Sequence, residues 1–161
     1  MAGDYYSELG EGYLQLHKEE QAEKFRILAE LIKPGKNDKM LDVGCGPGWA
    51  EEFFSCQYQG IDPAKELVRM NPKCREGRGE ELPYSDGTFD IIICVSAIHN
   101  MDEPNKALDE MARVAKKNAR IGITVLRKSR KAADIIESIR RRFDIIKIVE
   151  HRHDTILLCK R

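Results

Sequence analysis

Apolar positions along this chain follow two different periods, and the switches between them mark its elements. From His17 to Lys33, apolar residues recur at Ala22, Phe25, Leu28, Ala29 and Ile32, the spacing of a helix with one buried face, and "KPGKND" ends the run. "KMLDVGC" reads as a short buried strand, and Ala50 to Ser55 as a short helix. "QYQGID" is a second strand, and "PAKELVRMN" a helix opened by Pro63, a residue suited to a first turn. "KCREGRG" is a third strand, and "ELPYSDGTFD" a loop. "IIICVSAI" is apolar throughout, as a central strand buried on both faces requires.

The alternation then continues. Pro104 to Lys117 carries Ala107, Leu108, Met111 and Val114 on one helical face, with Asn118 as its left-handed stop. "RIGITVLRK" is a fifth strand, and Ala132 to Arg142 a helix bearing Ile135, Ile136 and Ile139. "DIIKIVEHRH" and "DTILLCKR" follow with almost nothing between them, so they pair antiparallel. Strands that alternate with helices require a mostly parallel sheet with helices on both faces, here a doubly wound α/β domain closed by an antiparallel strand pair. In such sheets ligands sit beyond the carboxyl ends of the strands. Gly44–Gly48, Asp62, the loop from Gly77 to Tyr84 and Ser96–Asn100 all follow strands and therefore converge there.

Composition narrows the class. The 161 residues suit one domain, with residues 1–35 as its N-terminal helical segment, and hydrophobic and charged shares of 42% and 34% suit a globular protein in water. No apolar run reaches membrane-spanning length, and "MAGDYYSELGEG" lacks the features of a signal peptide, so the expected location is cytoplasmic. Five scattered cysteines without a CxxC pair fit reduced thiols, with no expected metal site. The net charge of zero conceals a balance of −10 over Met1–Ala112 and +10 over Arg113–Arg161. That asymmetry suits either a polyanionic partner or complementary halves.

The densest chemistry is "LDVGCGPGW", where Gly44, Gly46 and Gly48 follow Asp42. Clustered glycine costs backbone entropy and is spent where the chain must approach a ligand closely. A dinucleotide fingerprint would need a third glycine at the position held by Trp49, and no G-K-[ST] of a phosphate loop is present. "LDVGCGPG" instead resembles the first motif of class I, Rossmann-like S-adenosylmethionine-dependent methyltransferases. The likeness extends through "GID", "GEELPYSDGTFDIIICVSAIHNM" and "EPNKALDEMARVAKKNARIGIT" to the ubiquinone/menaquinone-biosynthesis branch, and implies a seven-stranded sheet.

The resemblance implies roles by position. The Gly44–Cys45–Gly46 backbone passes under S-adenosylmethionine, with Gly48 and Trp49 at the loop exit, and Asp42 braces the loop or meets the amino group. Asp62 accepts the ribose hydroxyls, or in a plainer reading caps the helix opened by Pro63. Gly79, Glu80 and Leu82 border the adenine, and Ser96 belongs to the same set. The family's adenine-binding acid aligns with Arg78, which accepts no hydrogen bond, so Glu80, Glu81 or backbone carbonyls take that task. After the fourth strand, His99 is a candidate general base and Asn100 a candidate acceptor-orienting group. Tyr5, Tyr6 and Tyr13 are candidate lid residues.

The acceptor is open among three readings. The basic stretches "LRKSRK" and "IRRRF", with no insertion for a substrate domain, favour RNA or a ribosomal or other translation protein, with a small activator protein as partner. A small-molecule, quinone-type methyltransferase is the alternative. The third reading is a cofactor-binding regulatory subunit without catalysis, suggested by Arg78.

Overall fold

A computed structural model describes residues 11–161, with the side chains of Glu11 and Tyr13 left out of that description. The lid candidates Tyr5, Tyr6 and the Tyr13 side chain therefore lie outside the described residues. The elements are α1 (Glu11–Ile32), β1 (Lys39–Val43), a 3-10 helix (Trp49–Phe53), β2 (Gln57–Asp62), α2 (Lys65–Val68) and β3 (Cys74–Glu76). They continue with β4 (Phe89–Cys94), a 3-10 turn (Ile98–Asn100), α3 (Pro104–Val114), β5 (Ala115–Leu126), α4 (Ala132–Arg142), β6 (Asp144–His151) and β7 (Asp154–Lys160).

The seven strands form one sheet in the order β3-β2-β1-β4-β5-β7-β6. The pairs β2–β3, β1–β2, β1–β4 and β4–β5 are parallel, whereas β7 runs against both β5 and β6. The doubly wound sheet with its antiparallel closing pair is thus the fold expected. Strand order reverses between β1 and β4, which makes their carboxyl ends the switch point where a ligand cleft belongs.

The apolar run of β4 shows why helices cover both faces. Ile92 and Cys94 join one core cluster with Leu108, Met111, Ile135 and Ile139, so α3 and α4 cover that face. Ile91 and Ile93 join the other with Phe25, Leu28 and Ile32, so α1 covers the opposite face, together with Ala50 of the first 3-10 helix. A two-residue side-chain period carries one strand into two cores.

Several elements depart from their expected extents. The helix after Asp62 is only four residues long, because the Asn71 side chain accepts the Lys73 N–H at 2.9 Å and donates to Glu51 at 2.8 Å, forming a turn in place of another helical turn. α3 ends at Val114, and Ala115 already pairs with Phe89 across β4 and β5. Asn118 does adopt a left-handed conformation, φ 67°, but inside β5, at a register shift where its N–H donates to the Arg161 carbonyl at 3.2 Å. On the edge strand β6, a register shift between Ile145 and Lys147 interrupts pairing, a common way to blunt an open sheet edge.

Candidate functional site

The carboxyl ends of β1, β2, β3 and β4 open into a cleft of ≈ 740 Å³. Its floor is the loop after β1. Gly44 and Cys45 both donate their N–H groups to the Ile61 carbonyl, at 2.8 and 3.1 Å, so the loop turns sharply against the end of β2. The two glycines of this turn are needed for different reasons. Gly44 has φ 76° and a Cβ there would stand 2.5 Å from Ala97 Cβ, a collision. Gly46 has φ 54° with only Leu67 within 4 Å of such a Cβ, so conformation alone selects it. Gly48 does not line the cleft; it lies against Asn71 and Cys74 and opens the 3-10 helix.

Asp62 ends β2 and holds two backbone donors. Its Oδ2 accepts the Gly46 N–H at 2.9 Å, and its Oδ1 the Ala64 N–H at 2.8 Å. The second bond is the local cap of the plainer reading, and the first ties the glycine loop to β2. Each carboxylate oxygen can accept twice, so acceptor capacity remains for a ligand. Pro63 lines the cleft beside it. Asp42, also in the lining, is buried and accepts the Tyr58 hydroxyl proton at 2.7 Å. Burial, reinforced by the nearby Asp62 charge, pushes its carboxyl up to about 7, while the Tyr58 bond pulls the other way. The Cys45 thiol donates to the Gly46 carbonyl at 3.3 Å, and its contact with Cys74, together with burial, raises its pKa.

The segment after β3 brings Arg78, Gly79 and Glu80 to the cleft. Arg78 Nη2 bonds Glu80 Oε2 at 2.8 Å and Asp102 Oδ2 at 3.2 Å. The position where an adenine-binding acid was expected therefore neutralises the buried Glu80 carboxylate. Glu81 is exposed and outside the lining. Leu82 is also outside it: the side chain lies in the core, and its N–H donates to Glu110 Oε2 at 2.7 Å.

Beyond β4, Ser96 and Asn100 line the cleft, but His99 does not. Burial holds the His99 imidazole below its usual range, and its Nδ1 is buried with no partner among the described residues. Ser96 is held in a left-handed conformation, φ 55°. α1 adds Leu14, His17, Gln21 and Phe25 to the wall, and α2 with its flanks adds Glu66, Leu67 and Met70, none of which sequence reasoning singled out for the site. Trp49 faces His17 edge-on, with ring centroids 6.0 Å apart.

The two basic stretches fall at opposite ends of the sheet. Residues 127–131 follow the carboxyl end of β5, on the cleft side, and Lys128, Arg130 and Lys131 form no ion pair among the described residues. Arg140, Arg141 and Arg142 end α4, which returns from that side to the start of β6. Arg141 pairs with Glu137, and Arg142 with Asp109. The "IRRRF" stretch expected to meet RNA therefore lies at the far end from the cleft.

Among the described residues, no helix is long and apolar enough to cross a membrane, and no group of metal ligands is assembled. A family model described as a methyltransferase domain matches residues 41–123. An uncharacterized methyltransferase of Bacillus subtilis, YcgJ, is 31% identical over 114 residues, covering 62% of this chain and 45% of that protein. Norajmaline N-methyltransferase of Rauvolfia serpentina is 32% identical over 127 residues, covering 64% and 44% respectively. The chain thus spans less than half the length of these relatives. Among solved structures, a chain of the complex containing the Haloferax volcanii Trm112 methyltransferase activator superposes with a TM-score of 0.80 at 13% identity, covering 93% of this chain and 94% of that one.

Proposed function

Because the chain belongs to the methyltransferase domain family, we propose that it uses S-adenosylmethionine to methylate RNA, in company with a small activator protein. The observation that carries the reading is the union of Asp62 with the glycine loop through the Gly46 N–H, which sets an acid and a glycine-bearing turn on one cleft. These residues fit the cofactor. The Gly44–Gly46 turn would hold it from the floor of the cleft, Asp62 can accept from a vicinal diol, and buried Asp42 can meet an ammonium group. Gly79 and the Glu80 backbone border the adenine.

When bound, S-adenosylmethionine supplies an electrophilic methyl group on a sulfonium. The chain itself has to align the acceptor and keep water out. α1 closes one side of the cleft, and Asn100 orients the acceptor at the end of β4. His99, outside the lining, takes no proton in this reading. The unpaired basic groups at 128, 130 and 131 favour a phosphate-bearing acceptor on the cleft side. The activator is supported by the match, over 93% of this chain and 94% of the other, to a chain from the complex containing the Trm112 activator.

Incubation with tritiated S-adenosylmethionine and a cell extract, followed by parallel ribonuclease and protease digestion, tests the whole reading. Label lost to ribonuclease alone is the expected result. Label lost to protease moves the acceptor to a translation protein, and label resistant to both moves it to a small molecule. Absence of label that persists when activator is added overturns catalysis.

A further inference from the structure

Four polar side chains with no task in the scheme above are buried together beside the acceptor end of the cleft: Gln21 and Lys24 on α1, Thr124 on β5 and Asp154 on β7. They converge on Ser96. Lys24 Nζ reaches Asp154 Oδ2 at 2.7 Å and Ser96 Oγ at 2.8 Å. Thr124 Oγ1 accepts the Ser96 N–H at 2.7 Å, and Ser96 Oγ stands 3.1 Å from Gln21 Oε1. A buried ion pair rarely stabilises more than apolar packing would, and a left-handed serine is strained, so the cluster is costly for a mere contact between α1 and the sheet.

Donor and acceptor counting shows what the cluster does. An ammonium only donates, so Lys24 occupies a lone pair of Ser96 Oγ and leaves the serine proton for Gln21. Gln21 must then turn Oε1 toward Ser96. Its Nε2 donates to nothing among the described residues, and Gln21 lines the cleft. Two N–H donors of known orientation are therefore presented at the acceptor end. Around them the wall carries Leu14, Phe25 and the Trp49 ring, with His17 edge-on to that ring, and the Lys24 charge is cancelled by Asp154.

We propose that Gln21 selects the acceptor by donating to a carbonyl oxygen on a flat, uncharged ring such as a nucleobase, with Lys24 and Asp154 as positioning residues that fix its amide through Ser96. The inference rests on the reading of this cleft as a methyl-transfer site, and an experiment without turnover separates the two.

The full chain, saturated with S-adenosylhomocysteine as followed by calorimetry, is titrated by ligand-observed NMR with 1-methyl-2-pyridone, a ring that only accepts, and with indole, a ring that only donates. The wild type is expected to prefer the pyridone by about fivefold, the worth of one neutral hydrogen bond. Gln21→Glu, which presents an acceptor in place of the donors, reverses the preference. Lys24→Met, which releases the Ser96–Gln21 arrangement, abolishes it. Both variants should keep nucleoside affinity within about twofold, since neither changed group is assigned to the nucleoside. Equal binding of the two rings by the wild type, binding of neither, or an unchanged preference in Gln21→Glu overturns the inference and leaves the methyl-transfer reading intact. Failure of S-adenosylhomocysteine to bind overturns both. Should Lys24→Met not fold, the reversal in Gln21→Glu decides alone.

Discussion

Asp62 Oδ2 accepts the Gly46 N–H at 2.9 Å, so the acid that ends β2 and the loop that follows β1 are one mechanical unit. With Oδ1 on the Ala64 N–H at 2.8 Å, the carboxylate shapes the cleft before any ligand arrives. Asp62→Ala removes both charge-assisted bonds, each worth about 1.5–3 kcal/mol. The variant should lose at least about tenfold in S-adenosylmethionine affinity by calorimetry and melt at a lower temperature. Asp62→Asn, which keeps one accepting oxygen, should fall between the two. An alanine variant that bound as tightly as wild type would remove Asp62 from the site.

The two loop glycines should respond unequally to a methyl group. Gly44→Ala meets both a forbidding φ of 76° and Ala97 Cβ at 2.5 Å. Gly46→Ala meets only the φ cost, about 1–2 kcal/mol. Thermal unfolding should show the larger loss for Gly44→Ala, and pairing it with Ala97→Gly should recover part of that loss. Gly46→Ala has no such rescue.

Asp42 makes stability depend on pH with a defined sign. Its carboxyl is at about 7 when folded, against an ordinary 3.8, so below roughly pH 4 both states are protonated and its ionisation costs nothing. Between there and pH 7 the unfolded chain ionises first, and stability falls by up to about 1.4 kcal/mol per pH unit. Above pH 7 no further loss accrues. Denaturant unfolding of Asp42→Asn should show this component flattened, with the variant more stable than wild type at pH 8. If ionised Asp42 meets the cofactor's ammonium, wild-type affinity also rises from pH 6 to 8, and the asparagine variant lacks that rise.

Charge reversal should separate the two basic stretches. If RNA is the acceptor, replacing Lys128, Arg130 and Lys131 with glutamate should weaken methyl transfer to it and lower the salt slope of binding by about two, from the loss of three cations on the cleft side. The triple change Arg140→Ala, Arg141→Ala, Arg142→Ala, at the far end of the sheet, should leave both unaltered. The opposite ranking, measured with the RNA fraction labelled by the enzyme, would relocate the RNA path.

Elements set by local pattern were legible in sequence, and those set by distant partners were not. β2 and α4 keep their expected bounds because each is delimited by its own residues. "VAKKNAR" has helical character, yet from Ala115 it is drawn into pairing with Phe89 and met by Arg161, neither of which is near in sequence. The site divides the same way. Residues following strands in short loops, from Gly44 to Asn100, could be placed by topology. The α1 wall could not, because Phe25 reads as ordinary core. One signal was available: Gln21 and Lys24 lie four and one positions before Phe25, on the buried side of that helix, where uncommitted polar side chains are not expected. Arg78 stands out in the sequence as a departure, but its service to Glu80 depends on side-chain geometry alone.

β7 follows β6 in sequence yet lies between β6 and β5. During synthesis β5 must therefore wait with an open edge until the hairpin of β6 and β7 swings in as a unit. Asp154 arrives with it. Until that moment Lys24 lacks its Asp154 counter-ion, so the Ser96 side of the cleft is assembled last. A ribosome-bound chain lacking β7 should be able to form the glycine loop while the buried cluster around Ser96 is still incomplete.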